Sequence, residues 1–77
     1  MEIPKVHNRL KRIEGQVRGV EEMVALLRST DDIIIQLSAI RSAVDSLIIS
    51  IIEDEIDLAD QNRLLELKRT VKRMIKG

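Results

Sequence analysis

Seven apolar residues, Val6, Leu10, Ile13, Val17, Val20, Val24 and Leu27, follow one another at alternating spacings of four and three. That seven-residue period fits one long amphipathic helix and no strand. Pro4 suits its first turn, where a missing N–H costs nothing. Ser29-Thr30-Asp31-Asp32 supplies side-chain oxygens to cap a following helix, so the first is expected to end near Arg28. In the second, about residues 31–58, Ile33, Leu37, Ile40, Val44, Leu47 and Ile51 continue the period. Ile34, Ile48, Ile52 and Ile56 widen its apolar face beyond what one neighbouring helix can cover. The β-branched run Ile33–Ile35 is too short to outweigh the helical spacing. After a break at Leu58–Asn62, Leu64, Leu67, Val71 and Met74/Ile75 place a single stripe on a third helix, about 61–76.

The expected architecture is therefore all-α: one domain over residues 1–77, with helices at about 4–28, 31–58 and 61–76. So short a chain buries only about 60% of its unfolded surface and needs a staple. Cysteine is absent, which excludes disulfides, thiolate metal sites and thiol nucleophiles. One histidine, His7, cannot build a multi-histidine site and reads as a surface or seam residue. Self-association remains: an antiparallel hairpin with surplus apolar surface points to a four-helix-bundle dimer. No uninterrupted apolar run approaches the ~20 residues of a membrane span. The first residues lack the apolar core of a secretory signal. A soluble cytoplasmic chain without a membrane partner is the expectation. No Ser/His/Asp grouping or phosphate-cradling glycine loop suggests an enzyme.

Charge sums to zero, with 13 Lys/Arg against 13 Asp/Glu, but it is unevenly placed. Both ends are basic, whereas the middle carries Arg41 as its one cation among many acids. On helix one, Lys5, Arg9, Arg12 and Gln16 form a row beside the apolar one, with Lys11 and Arg18 on the outer flank. Gly15 and Gly19 lie in the same stretch, each costing about 1 kcal/mol against alanine within a helix. Close approach of another backbone would offset that cost. Such a row can contact DNA phosphates, and Arg or Gln can read base edges. It can equally be a solvated face balanced by Glu14, Glu21 and Glu22. On helix two, Ser38, Ser42, Ser46 and Ser50 recur every four residues beside Ala39 and Ala43. They permit either close helix packing or a solvated polar stripe.

RLKRIEGQVRGV at residues 9–20, Met23, and D-x-x-x-Q-x-S-A-I-R-S-A-V across Asp32–Val44 resemble the copper-sensing operon repressor family. That family has nickel/cobalt-responsive and formaldehyde-responsive relatives, and the likeness spans roughly residues 8–59. It implies an all-α protomer, a four-helix-bundle dimer and a tetramer of two dimers. It also implies repression through double-stranded operator DNA, gripped without a helix-turn-helix by the basic start of helix one and arginines of helix two. Arg9 matches the family's basic position best; Lys5, Lys11, Arg12, Gln16 and Arg18 are its neighbours, and Arg41 lies in the second motif. Asp45, Ser46 and Ile49 stand where some members carry further basic residues.

The family's cysteine, histidine and cysteine ligand positions fall on Thr30, Glu55 and Ala59. Cu(I) is soft and selects thiolate and imidazole, so this set is unsuited to it. A carboxylate site for a hard divalent cation, using Glu53, Glu55 and Asp57 near Thr30–Asp32 of a neighbouring hairpin, is one replacement. A solubilising acidic helix end, paired with the cations of helix three, is the other. The competing functional reading is a helical-bundle scaffold that retains the fold without regulated DNA binding.

Overall fold

The computed structural model describes every residue, Met1–Gly77, and contains three helices and no strand. They are α1 (Ile3–Ala25), α2 (Thr30–Leu58) and α3 (Gln61–Lys76). Pro4 sits in the first turn of α1. Ser29 caps α2, its side-chain oxygen accepting the Asp32 amide at 3.1 Å, and Asp31 and Asp32 complement the positive end of the helix dipole. Asp60 caps α3 in the same way, accepting the Arg63 amide at 2.8 Å.

α1 stops three residues short of the expected Arg28. The Arg28 amide donates to the Met23 carbonyl at 3.0 Å, and the Leu27 amide to Val24 at 3.1 Å. This paired closure requires a left-handed residue at the turn, a place usually held by glycine. Leu27 takes it instead, with φ of 56°, and its side chain is 90% exposed. The apolar period runs on through Leu27 because side-chain spacing does not report where the backbone closes.

α1 and α2 pack as an antiparallel hairpin, and α3 folds back to lay Leu67 beside Ile48, Ile51 and Ile52. The whole is a plate of 51 × 29 × 12 Å. Its thin dimension matches roughly one helix diameter. A stable domain needs two packed layers around a core, and this protomer has one. Only Val20, Leu47 and Leu67 are buried.

The expected seams are accordingly split. On α1, Val6, Ile13, Val20 and Met23 turn inward, while Leu10, Val17 and Val24, each seven residues apart, face out. On α2, Ile33, Ile40, Leu47 and Ile51 turn inward, while Leu37 and Val44 are exposed. The protomer has 6347 Å² of accessible surface. A compact monomer of 8.8 kDa would have about 4,800 Å², so roughly 1,600 Å² is in excess.

α2 as a whole is long and apolar enough, by length and composition, to cross a bilayer. Arg41 and Asp45 keep every uninterrupted apolar run short, as expected, while leaving the average over the helix apolar. An arginine near a span's centre costs about 3 kcal/mol to insert. A helix apolar around most of its circumference is also what the middle of a bundle demands.

Candidate nucleic-acid interface

Basic residues occupy the first half of α1 because its apolar residues are confined to the seven-residue rows, which leaves the remaining positions to polar side chains. Arg9, Arg12 and Gln16 come together with Ile13 and Ala43 around a shallow recess where α1 meets α2. Arg9 is half-buried and donates from Nη2 to Ser46 Oγ at 3.0 Å. This bond fixes the guanidinium across the seam and commits one of its edges. Arg12 and Gln16 are exposed beside it. Neither Arg9, Arg12 nor Lys5 forms an ion pair. The inner row is thus cationic and uncompensated, the condition under which counterion release on binding a polyanion is largest.

The outer flank differs. Lys11 Nζ lies 3.5 Å from Glu14 Oε2, and Arg18 Nη2 lies 4.0 Å from Glu14 Oε1. Both are highly exposed single-turn pairs, which contribute at most a few tenths of a kcal/mol. They can exchange Glu14 for another anion at little cost. Arg41 stands apart, exposed on α2 beside Ile34, Leu37 and Ser38. One protomer therefore joins Arg9, Arg12 and Gln16, and leaves Lys5, Lys11, Arg18 and Arg41 outside that recess.

Gly15 and Gly19 have helical backbone and nothing within 4 Å of where a Cβ would stand. The close approach expected for them does not occur within the protomer. The serine stripe divides as well: Ser46 holds Arg9 and Ser50 is half-buried, while Ser38 and Ser42 are exposed. The role of Ser46 was not isolated by sequence reasoning; its four-residue spacing was the available signal.

The acidic end of α2 does not by itself gather a ligand set. No three potential ligands converge within the protomer. Glu55 is engaged by Arg63, whose Nε and Nη2 both donate to Oε2 at 3.3 Å, and its Oε1 accepts from the Met1 ammonium at 3.4 Å. These partners, the ammonium bond foremost and then the Arg63 bond, hold the Glu55 carboxyl below the ordinary carboxylate range. Asp60 spends an oxygen on its cap. Glu53 and Asp57 make no ion pair. Thr30–Asp32 begin the helix that Glu53–Asp57 end, roughly 35 Å away along its axis, so any meeting of the two clusters is intermolecular. The expected pairing of acids with the cations of α3 is likewise limited to Arg63. His7 is exposed on α1, apart from the acidic end.

Comparison with known proteins supplies the context. The family model described as metal-sensitive transcriptional repressor matches residues 2–76. The copper-sensing transcriptional repressor CsoR of Bacillus subtilis (strain 168) is 46% identical over 50 residues, covering 65% of this chain and 50% of that protein. The copper-sensing transcriptional repressor RicR of Mycobacterium tuberculosis (strain ATCC 25618 / H37Rv) is 35% identical over 48 residues, covering 62% and 50%. The chain spans about half the length of the curated relatives it matches.

Proposed function

The chain belongs to the family of metal-sensitive transcriptional repressors, and from that premise we propose that it represses transcription by gripping double-stranded operator DNA as a self-assembled bundle, under control of a signal other than a thiol-bound metal. The observation that carries the DNA reading is the open recess where Arg9, Arg12 and Gln16 meet without a carboxylate partner. Arg9, positioned by Ser46, and Arg12 contact phosphates; Gln16 is placed to reach a base edge. Lys5, Lys11, Arg18 and Arg41 add to the cationic field. Action on operator DNA puts the protein in the cytoplasm.

Assembly follows from the one-layer plate. An excess surface of roughly 1,600 Å² per protomer falls within what an obligate interface removes from each partner. The exposed rows Leu10, Val17, Val24 and Leu37, Val44 are the seven-residue spacing a second hairpin needs to complete a four-helix bundle. Two such dimers forming a tetramer would repeat the cationic recess four times and let one assembly span successive turns of duplex.

The residues present do not fit Cu(I). The chain has no cysteine, Thr30, Glu55 and Ala59 stand at the positions the family resemblance assigns to ligands, and Glu55 is tied to Arg63. A hard divalent cation would need oxygen donors from more than one protomer, for example Glu53 and Asp57 of one with Asp31 or Asp32 of another. Thermal unfolding with added Mg²⁺, Mn²⁺ or Ca²⁺ tests this, since a bound ion raises the transition by mass action. Absence of a shift with all three removes the cation.

Selection of bound genomic fragments, followed by fluorescence anisotropy on the enriched duplex, tests the DNA reading. Affinity is expected to fall steeply with salt, and Arg12→Ala to weaken binding evenly across sequences. A helical scaffold is the second reading, favoured by the zero net charge and by the sharing of Glu14 between Lys11 and Arg18. It predicts no salt-sensitive duplex binding at micromolar protein.

A further inference from the structure

Apart from Arg63, which engages Glu55 of α2, the cations of α3 make no ion pair and lie outside the α1 recess. On a helical projection Lys68, Arg69, Lys72, Arg73 and Lys76 fall in one arc of about 140°; Lys68 and Lys72 edge the groove lined by Leu64, Leu67 and Val71, and Arg69, Arg73 and Lys76 lie on the far side. All five are exposed, and none forms an ion pair. Glu66, the one acid of the helix, is taken by Arg63 at 3.3 Å.

We propose that this arc is a second phosphate-contacting surface for duplex DNA, additional to the α1 recess. The inference rests on the DNA-binding reading above. A face that needed only to be wet would alternate its charges. Here Lys68–Lys72, Lys72–Lys76 and Arg69–Arg73 are like-charge pairs one turn apart, each of which works against the helix. The helix dipole favours Arg73 and Lys76 in the last turn but gives no such benefit to Lys68 and Arg69. A polyanion offsets all of them together. The five span about 12 Å along the axis, short enough for one stretch of duplex backbone to meet them at once.

Position favours the same partner. Arg9 is bonded to Ser46, and α3 lies against Ile48, Ile51 and Ile52 with Arg63 on Glu55. Both cationic elements therefore border the Ser46–Glu55 stretch of α2, where Arg63 already engages Glu55. A bilayer fits less well. A surface-lying amphipathic helix must free its apolar stripe, and on α3 Leu67 is buried while Leu64 and Val71 are half-buried against α2.

The test is a variant carrying Lys68→Gln, Arg69→Gln, Lys72→Gln and Arg73→Gln, compared with wild type by anisotropy on a duplex enriched from the genome. Measurements run from about 50 to 200 mM salt, where each lost phosphate contact lowers the slope of log K against log [salt] by about 0.9. The slope is expected to drop by about 2–4, evenly for enriched and unrelated duplexes, with helix content and oligomeric state unchanged. A second variant, Lys68→Arg with Lys72→Arg, is expected to keep the wild-type slope. An unchanged slope in the glutamine variant, with wild type and Arg12→Ala behaving as proposed, overturns this inference alone. A wild-type protein with no salt-dependent binding overturns the DNA reading and this one with it. Loss of adsorption to phosphatidylserine vesicles with an intact DNA slope reassigns the face to membranes and also overturns it.

Discussion

Gly15 gives the sharpest separation between what the free helix prefers and what a bound partner demands. It lies twelve residues from the start of α1 and ten from its end, so the full interior penalty of glycine applies. Its backbone is helical and the space beside it is open, so an added Cβ meets no clash in the protomer. Gly15→Ala is therefore expected to stabilise the fold by about 1 kcal/mol per chain. For a domain of this size that raises Tm by about 4–8 °C. Because stability of a self-assembled chain depends on concentration, the two melts must be run at matched protein. The same variant is expected to weaken duplex binding, since Lys11, Gly15 and Arg18 share one face and a methyl there holds a phosphate backbone away. Calorimetry and anisotropy read the two effects separately. A lowered Tm would mean that another protein surface already fills the space, and would refute the assignment of this face to DNA. A raised Tm with unchanged DNA affinity would refute the account of why glycine is used there.

Leu27→Gly relieves a left-handed backbone and gives up a side chain that is 90% exposed. The left-handed strain is about 1–2 kcal/mol and the extra freedom of the unfolded glycine about 0.4–1 kcal/mol, so a small net gain in Tm is expected. A clear loss would show that a second copy covers Leu27. Leu47→Ala removes a side chain that is only 5% exposed, and should cost about 2–5 kcal/mol, seen as a large fall in Tm or in assembly by sedimentation. The Glu55 carboxyl is held below its ordinary value of 4.5, first by the Met1 ammonium and then by Arg63. Its folded pKa is depressed, so the stabilisation is present above about pH 4.5 and fades as pH falls through the folded value. Acid titration followed by circular dichroism should show a shallower acid limb for Glu55→Gln; an identical limb would exclude the clamp.

Helix existence was legible because apolar spacing and cap chemistry act locally: the seven-residue period selects a helix, and Ser29 marks the start of the next one at its own amide-accepting distance. What spacing could not show was which half of each seam the protomer itself would use. Val6, Ile13 and Val20 turn inward while Leu10, Val17 and Val24 do not, because one layer of helices has a single neighbour to offer each row. The end of α1 was hidden for a related reason, since closure at Leu27 is a backbone event that its side chain does not advertise. At the site, the cationic row could be read from residue type and register, but the Arg9–Ser46 bond could not. It joins residues 37 positions apart and depends on how α1 and α2 are aligned. The acidic cluster was legible as charge but its geometry was not: Glu53 and Asp57 lie one turn apart on one face of α2, whereas Glu55 turns to the other. Arg63 and Met1 then reach Glu55 from outside the cluster. Charge sign is thus readable along the chain, whereas convergence of charges is a property of packing. For a chain whose second layer comes from another copy, much of that packing lies between molecules.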